Sequence, residues 1–297
     1  MADNRYRNLE QQLDKIWRHV NQGSIKTRYR YKEAVTRFCH FAADTYKLQK
    51  VTNIKDKHLI SYVAHMQQKG LSASTIKTEL SAIRFLCDQA GVKATLPTNV
   101  AIGDRLGAPL MQRTFGQIPR AWSMPEVTAA IDLAHLQGKE PLAQILSFGH
   151  TLGLRIHETI SLEKSDLMAA LHQGYLHLRT AKGGLERDVP VTPAARAAIL
   201  QTLQHCASGK VFVQPTHKAH TVIKQVQNWI NQYRGDFTQG ERILTYHGLR
   251  HAYAQERYAY HLIRCAHNEK EARLHVAREL GHGRDTVTRI YLAGQGK

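Results

Sequence analysis

The segment Leu280-Gly281-His282-Gly283-Arg284-Asp285-Thr286-Val287-Thr288-Arg289-Ile290-Tyr291 puts a tyrosine nine positions after a histidine. Two shorter motifs lie upstream, Gly153-Leu154-Arg155-Ile156-His157-Glu158 and His247-Gly248-Leu249-Arg250. Together the three segments supply two arginines, two histidines and a tyrosine that can converge on one phosphate. The residue types suit that target, because a planar guanidinium matches phosphate oxygens bidentately and keeps its charge.

The charge balance of the chain favours a polyanionic partner. The 297 residues include 41 Lys plus Arg against 24 Asp plus Glu, a net charge of +17. Counterion release from a phosphate backbone favours binding by such a chain, so a polyanionic partner is expected, although ribosomal and membrane-surface proteins share this composition. No apolar run approaches the ~18 residues of a membrane-spanning helix, and the N-terminus lacks a signal-peptide core. We therefore expect a cytoplasmic protein with no membrane contact.

The four cysteines give no sign of a metal or a disulfide framework. Cys39, Cys87, Cys206 and Cys265 are scattered without a Cys-x-x-Cys pair. This spacing predicts reduced and mostly buried thiols. We predict no metal site and no cofactor.

Residues 1–92 predict a bundle of about four helices that contacts DNA. Apolar residues recur at the i, i+3, i+4, i+7 spacing of amphipathic helices, between helix stops such as Lys69-Gly70. The apolar stripes are Leu9, Leu13 and Trp17; Tyr31, Ala34, Val35, Phe38, Phe41 and Ala42; Leu59, Tyr62, Val63 and Met66; and Ile76, Leu80, Ile83 and Cys87. The predicted DNA contacts are cations of the second and last of these helices, namely Lys26, Arg28, Arg30, Lys32 and Lys77. A solvated basic face is the alternative interpretation.

Residues 93–118 predict a linker, because glycine and proline recur there at Pro97, Gly103, Gly107, Pro109 and Gly116. A new helix then begins at Ser123-Met124-Pro125-Glu126, which combines a capping box with a proline in the first turn. The predicted catalytic domain therefore spans residues 119–297.

The second domain carries one clear β signal within a helical pattern. Residues 175–180 alternate apolar and polar, residues 181–185 supply a glycine-rich turn, and residues 186–191 alternate again. This pattern predicts a β-hairpin with Lys182 at its tip. The predicted fold class is mainly α, with an N-terminal helical bundle and a mainly helical second domain that contains a small antiparallel β-sheet.

Cleavage of a phosphodiester without a metal needs a nucleophile, charge stabilisation on the non-bridging oxygens, and a proton for the leaving 5′ oxygen. Arg155 and Arg250 suit the second need. Histidines such as His247 and His282 can donate to the same oxygens or accept the phenol proton, and a lysine such as Lys182 can protonate the leaving alkoxide.

The order and spacing of these motifs resemble the tyrosine recombinase (phage integrase) family over nearly the whole chain. The matching segments are residues 151–158, 181–190, 247–254 and 280–291. The resemblance implies an N-terminal DNA-binding domain and a catalytic domain that together clamp duplex DNA. The resemblance implies that Arg155 and Arg250 clamp the phosphate, and that Tyr291 is the nucleophile. It implies that Lys182 is the general acid and that His247 and His282 assist. Glu158 and His251 are implied to be supporting residues.

Each of these residues also has a simpler interpretation. Arg155 can belong to a surface ion pair, Lys182 can be a solvated hairpin residue, and Tyr291 can be a half-buried anchor. His247 and His251, four positions apart, can form a helical metal pair, although no His-Glu-x-x-His motif is present. The joint order of the motifs favours the catalytic interpretation.

The predicted function is site-specific DNA recombination through a 3′-phosphotyrosyl intermediate, without metal or ATP, for the integration or excision of a mobile element. A type IB topoisomerase-like enzyme and a non-catalytic DNA-binding protein on the same fold are the alternatives. Accessory DNA-bending or directionality proteins are possible partners.

Two departures from the family pattern carry further expectations. Only six residues follow Tyr291, and they offer little surface for holding subunits together in advance. We therefore expect a monomer in solution that forms a homotetramer on paired DNA sites, where DNA raises the effective concentration of subunits. The 31 residues between Arg250 and His282 exceed the family's usual connection, which predicts a loop extension there.

Overall fold

The computed structural model describes residues 3–110, 119–179, 186–206, 209–282 and 285–292, and the side chains of all of these except residues 3–5 and 285–287. The chain divides into two compact units, Met1–Thr114 and Phe115–Lys297. None of the described helices is both long and apolar enough to cross a membrane.

The first unit is a helical bundle, as the apolar stripes predict. Its elements are α1 (Asp3–Arg18), α2 (Ile25–Tyr46), a short 3-10 helix (Val51–Asn53), α3 (Asp56–Gln68), α4 (Ala73–Gln89) and α5 (Asn99–Arg105). The stripes form its core, in which Leu9, Phe38, Leu59 and Leu80 are fully buried. Ser72 caps α4 by accepting a hydrogen bond from Thr75 N–H.

The predicted linker contains a helix that belongs to the first unit. Thr98 caps α5 by accepting from Ala101 N–H, and Ile102 is fully buried in the core of the bundle. Gly103 lets the chain fold back onto α5, since a Cβ there would lie 3.0 Å from Pro109 Cα. Composition could not reveal this packing, because the prolines and most of the glycines flank the helix instead of interrupting it. The start of the catalytic domain near residue 119 stays a prediction.

The second unit is mainly helical with one two-stranded sheet, which confirms the predicted fold class. Its elements are α6 (Met124–Leu136), α7 (Glu140–Thr151), α8 (Ile156–Ser161), α9 (Lys164–Gln173), β1 (Tyr175–Leu178), β2 (Arg187–Pro190), α10 (Pro193–Gln204), α11 (Ala219–Phe237), α12 (Tyr246–Arg264), α13 (Glu269–Leu280) and α14 (Asp285–Tyr291). The capping box at the start of α6 is present, with Ser123 and Glu126 each accepting from the other's backbone N–H.

The β-hairpin pairs as the alternation predicts. Strands β1 and β2 are antiparallel, with Leu176 opposite Val189 and both side chains fully buried. Lys182, which the sequence places at the hairpin tip, lies outside the described residues.

The loop extension expected between Arg250 and His282 is wrong, because two helices fill this connection. Helix α12 continues to Arg264, and α13 begins four residues after Cys265. Asn268 caps α13, and its buried stripe of Ala272, Val276 and Leu280 packs into the domain. The charged residues that suggested a loop lie on the other faces of α13.

Candidate active site

Five of the predicted catalytic side chains lie together in the second unit. Arg155 is the N-cap residue of α8, His247 and Arg250 lie in the first two turns of α12, His282 follows α13, and Tyr291 ends α14. Segments far apart in the sequence therefore deliver these side chains to one place.

Tyr291 is nearly buried at the centre of this group. Its hydroxyl lies 3.2 Å from His247 Nε2. Its ring stacks on His251 with centroids 4.3 Å apart, and lies 4.7 Å from the ring of His282. The guanidinium carbon of Arg250 lies 5.8 Å from the ring centroid. Three imidazoles and a guanidinium therefore fix the position of the phenol.

The histidines around Tyr291 are neutral at physiological pH. Burial, followed by the charges of Arg250 and Arg155, lowers the pKa of His247 to about 4 and that of His282 to about 3. Burial and the neighbouring His247 lower the pKa of His251 to about 4. A neutral imidazole keeps one nitrogen as an acceptor, so His247 Nε2 can accept the hydroxyl hydrogen of Tyr291.

Arg250 is fully buried and held by two backbone carbonyls. Its terminal nitrogens donate to the oxygens of Gly153 and Leu280. Leu280 is the last residue of α13, so the guanidinium lies against the partial negative charge of a helix C-terminus. Burial, followed by the charge of Arg155, lowers the pKa of Arg250 to about 10, which still leaves it protonated at neutral pH.

Two buried nitrogens of the site, Arg250 Nε and His282 Nε2, have no hydrogen-bond partner within the described part of the chain. A buried polar group without a partner is unfavourable by about 1–3 kcal/mol. Both atoms are therefore candidates to contact an anionic oxygen. A cleft of about 600 Å³ lies at the start of α12, lined in part by Arg155 and His247.

Glu158 is a buried carboxylate that connects the arginines. It accepts hydrogen bonds from the backbone N–H and Nη1 of Arg155, both at 2.7 Å, and from Nη1 and Nη2 of Arg187 at 2.9 and 2.7 Å. Arg250 Nη1 lies 4.0 Å from it. Burial alone would raise the pKa of Glu158, but the hydrogen bonds and charge of Arg187, with Arg155 and Arg250, lower it to about 2. The ionised carboxylate therefore holds Arg155 through two hydrogen bonds, and its supporting role in catalysis stays a prediction.

Arg187 is a residue of this site that the sequence analysis did not single out. In addition to its two bonds to Glu158, its Nε donates to the backbone oxygen of Glu279 at 3.0 Å. One buried side chain thereby joins β2, α8 and the end of α13. The signal in the sequence is its place in the strand, since Arg187 shares the inward face of β2 with Val189. A cation at such a position needs a buried partner.

Gly153 is required by the backbone that leads to Arg155. Its φ is +59°, and a Cβ at this position would lie 2.4 Å from the ring of Tyr253. The close approach also brings the Gly153 carbonyl to Arg250. Glycine at this position therefore allows the left-handed turn before Arg155 and places a carbonyl that accepts a hydrogen bond from Arg250.

The predicted DNA-contacting cations of α2 lie on two sides of the helix. Lys26 and Arg30, the outward pair, are exposed. Arg28 and Lys32 form the α1-facing pair. Arg28 donates to the backbone carbonyl of Val20, just after α1, at 3.2 Å, and Lys32 donates to the Asp14 carboxylate of α1 at 3.0 Å. Positions two apart on an α-helix differ by about 200°, which separates the pairs. Lys77, on α4, is half-buried.

The two histidines considered as a metal pair lie beside Tyr291. The rings of His247 and His251 are 5.2 Å apart and nearly perpendicular. Within the described ranges, neither belongs to a cluster of three metal-ligating side chains. Both rings pack around Tyr291 instead.

Comparison with protein families gives matches to both units. Residues 6–96 match the model described as the N-terminal domain of phage integrases, and residues 126–296 match the model described as the phage integrase family.

Curated relatives and solved structures agree with these matches. The chain is 24% identical to the tyrosine recombinase XerC of Vibrio cholerae serotype O1, over 95% of this chain and 88% of that protein. It is 28% identical to the tyrosine recombinase XerD of Rhizobium meliloti, over 81% of this chain and 76% of that protein. Its fold is similar to that of a lambda integrase tetramer bound to a Holliday junction, with a TM-score of 0.67 and 14% identity over 97% of this chain and 79% of that one. It is also similar to the Tn1549 transposon integrase in complex with transposon right end DNA, with a TM-score of 0.62 and 16% identity over 96% and 95% of the two chains.

Proposed function

This chain belongs to the phage integrase family of tyrosine recombinases, and we propose that it is a site-specific DNA recombinase that cleaves and rejoins DNA through Tyr291. The observation that carries the proposal is the contact of the Tyr291 hydroxyl with His247 Nε2, beside the buried guanidinium of Arg250. A phenol held against a neutral imidazole and next to a fixed cation is equipped to attack a phosphodiester.

In the proposed reaction, Tyr291 Oη bonds to the phosphorus and the bond from phosphorus to the 5′ oxygen breaks. The phenol proton passes to His247, and Lys182 gives a proton to the leaving 5′ oxygen. The products are a 3′-phosphotyrosyl enzyme and a free 5′ hydroxyl. Attack by a 5′ hydroxyl from another strand reverses the steps and reseals the DNA.

The charges of the site support a reaction without metal or ATP. Arg155 and Arg250 supply positive charge to the non-bridging oxygens, and Arg250 Nε and His282 Nε2 are the buried nitrogens available for the same oxygens. Proximity of the phosphate also raises the pKa of His247 from its low value in the free protein, which makes it a better base at the moment of attack. The phosphotyrosyl bond conserves the energy of the diester, so resealing needs no nucleotide.

The proposed role is integration or excision of a mobile element in the cytoplasm, on duplex DNA. The likeness to a transposon integrase bound to transposon end DNA supports this role, and the likeness to a lambda integrase tetramer on a Holliday junction supports a tetramer on paired sites. Accessory DNA-bending or directionality proteins belong to the same proposal.

The test uses nicked DNA duplexes with a randomised central segment as the probe. A nick next to the cleavage point releases the 5′ hydroxyl as a short strand, so a covalent adduct accumulates and its DNA can be sequenced. Tyr291→Phe should lose the adduct but keep DNA binding, while Tyr260→Phe, at an exposed tyrosine of α12, should keep both. Adduct formation by the Tyr291→Phe protein would refute the assignment. Trapped DNA without a shared sequence would favour a type IB topoisomerase-like activity, and no adduct with any duplex would favour a non-catalytic DNA-binding protein.

The role of Lys182 has a separate test with a 5′-bridging sulfur in the probe. Sulfur leaves without a general acid, so the substitution should restore cleavage to Lys182→Ala. Arg155→Ala should show no rescue, because it lacks charge stabilisation instead. Equal rescue of both variants would mean that these two roles are wrongly divided.

A further inference from the structure

A cluster of three potential metal ligands lies at the junction of α12 and α13, away from Tyr291. The Cys265 sulfur, a Glu271 carboxylate oxygen and a His275 ring nitrogen all lie within 4.8 Å of one another. Cys265 and His275 are half-buried, and Glu271 is exposed. No step of the proposed strand transfer uses these side chains.

The backbone brings the three residues together through a tight reversal. Cys265 is the C-cap residue of α12, and the next two residues, Ala266 and His267, have φ values of 48° and 65°. Left-handed backbone in residues with a Cβ is unfavourable by roughly 1–2 kcal/mol each. The reversal places Cys265 beside the first turns of α13, where Glu271 and His275, four positions apart, share one face.

A second contact orients the His275 ring. It stacks on His261 with centroids 4.7 Å apart and planes 12° apart. The His261 Nε2 lies 2.8 Å from Glu279 Oε1, and Glu279 also accepts hydrogen bonds from Arg257 and Tyr253. The stack therefore restrains the plane of the His275 ring through a histidine that is itself fixed by Glu279.

We propose that Cys265, Glu271 and His275 bind one divalent transition-metal ion, with zinc as the best match. A thiolate, an imidazole and a carboxylate are the ligand types of tetrahedral zinc sites, in which neighbouring ligand atoms are roughly 3.5 Å apart. The three ligand atoms lie within 4.8 Å of one another, so metal binding requires side-chain rotations that bring them closer together. Water completes the fourth position.

The position of the cluster indicates a structural role for the ion. His251 and Cys265 are 14 positions apart, so the ion lies about 20 Å along α12 from the rings around Tyr291. An ion bound there would fasten the end of α12 to α13. Those two helices carry Arg250 and the Leu280 carbonyl that receives it, so the ion would stabilise the frame of the active site without touching the phosphate.

Cobalt titration of the full-length protein, without a histidine tag, tests this proposal. A Cys265 thiolate bound to Co²⁺ produces a ligand-to-metal charge-transfer band, which should saturate at one ion per chain and be displaced by Zn²⁺. Cys265→Ala should abolish the band. Glu271→Gln and His275→Gln should each weaken Co²⁺ binding by roughly tenfold or more. Zn²⁺ should also raise the unfolding temperature of the unaltered protein but not that of Cys265→Ala.

Cys206→Ala and Glu269→Gln are the matched controls, because each removes a group of the same type outside the cluster, and both should keep the band and the affinity. Because Glu271 is exposed, Glu271→Gln tests binding without endangering the fold. No charge-transfer band in the unaltered protein, or an undiminished band in Cys265→Ala, would overturn the proposal. These readouts do not depend on DNA cleavage, so they stay informative if the proposed recombinase activity fails its own test.

Discussion

Removal of Arg187 tests whether the network around Glu158 stabilises the second unit. Arg187→Met keeps much of the buried aliphatic stem but removes three hydrogen bonds, two to Glu158 and one to the Glu279 carbonyl. The Glu158 side chain is only 1% exposed, so its charge then lacks its main partner. Breaking a buried ion pair destabilises a protein by about 3–5 kcal/mol. Because Arg155 keeps its two bonds to Glu158, we expect the lower end, about 3 kcal/mol.

Urea unfolding followed by tryptophan fluorescence measures this loss. The chain has three tryptophans, and Trp17→Phe leaves only Trp122 and Trp229, both in the second unit, so the signal reports on that unit alone. Arg196→Met is the control, since this arginine makes an exposed bond to a backbone carbonyl, and its loss should change stability by less than about 0.5 kcal/mol.

A second substitution and a pH series sharpen the same test. Glu158→Gln in the Arg187→Met protein should recover part of the lost stability, because it removes the unpaired charge. The pKa of Glu158 is about 2 in the folded protein and 4.5 in its unperturbed state. The pair therefore stabilises fully above pH 4.5 and loses its effect as the pH falls towards 2, so the deficit of Arg187→Met should shrink on acidification. A loss no larger than that of Arg196→Met, or additive losses in the double variant, would refute the reasoning.

Three further predictions concern the fold, the predicted DNA contacts of α2 and the histidines of the candidate site. Gly153→Ala should destabilise the second unit by roughly 3 kcal/mol, because the residue has a φ of +59° and its new Cβ would meet the Tyr253 ring at 2.4 Å; a loss under about 1 kcal/mol in urea unfolding would contradict this geometry. Alanine at both Lys26 and Arg30 should lower the slope of log affinity for duplex DNA against log salt concentration by about 1.8. Alanine at both Arg28 and Lys32 should lower this slope by far less. Equal changes in anisotropy titrations would contradict the assignment of these two pairs to different sides of α2. Lowering the pH from 6.5 to 5.5 should destabilise the second unit by roughly 1 kcal/mol for each histidine around Tyr291. The folded pKa values of these histidines, about 3 to 4, lie below the unperturbed 6.5, so only the unfolded chain takes up protons in this range. If His251→Phe left the slope of unfolding free energy against pH unchanged, those pKa values would be contradicted.

Local sequence signals predicted the parts of the fold that depend on near neighbours. The stripe of Leu59, Tyr62, Val63 and Met66 is buried on one helix face, and Ser123 caps its helix as the motif requires. Such signals are reliable because the period of a helix and the chemistry of its cap involve only a few adjacent residues.

Contacts between distant segments escaped the sequence analysis. The buried Ile102 of α5 sits among glycines and prolines that resemble a linker, and only the surrounding bundle makes a helix favourable there. The charged residues of α13 alternate with the apolar stripe of Ala272, Val276 and Leu280, and this stripe is buried only because the rest of the domain packs against it. In the candidate site, the motif points to Glu158, but its partner Arg187 is 29 positions away, and no local pattern specifies such a pairing.

The two carbonyls that hold Arg250 belong to residues 97 and 30 positions away in the chain. A nascent, clipped or partly unfolded polypeptide therefore has this arginine without either of its anchors, and it has Tyr291 without the rings that surround it. Unfolding of the second unit therefore also disassembles the candidate active site. For the proposed recombinase activity, this dependence means that a misfolded copy lacks the assembled site.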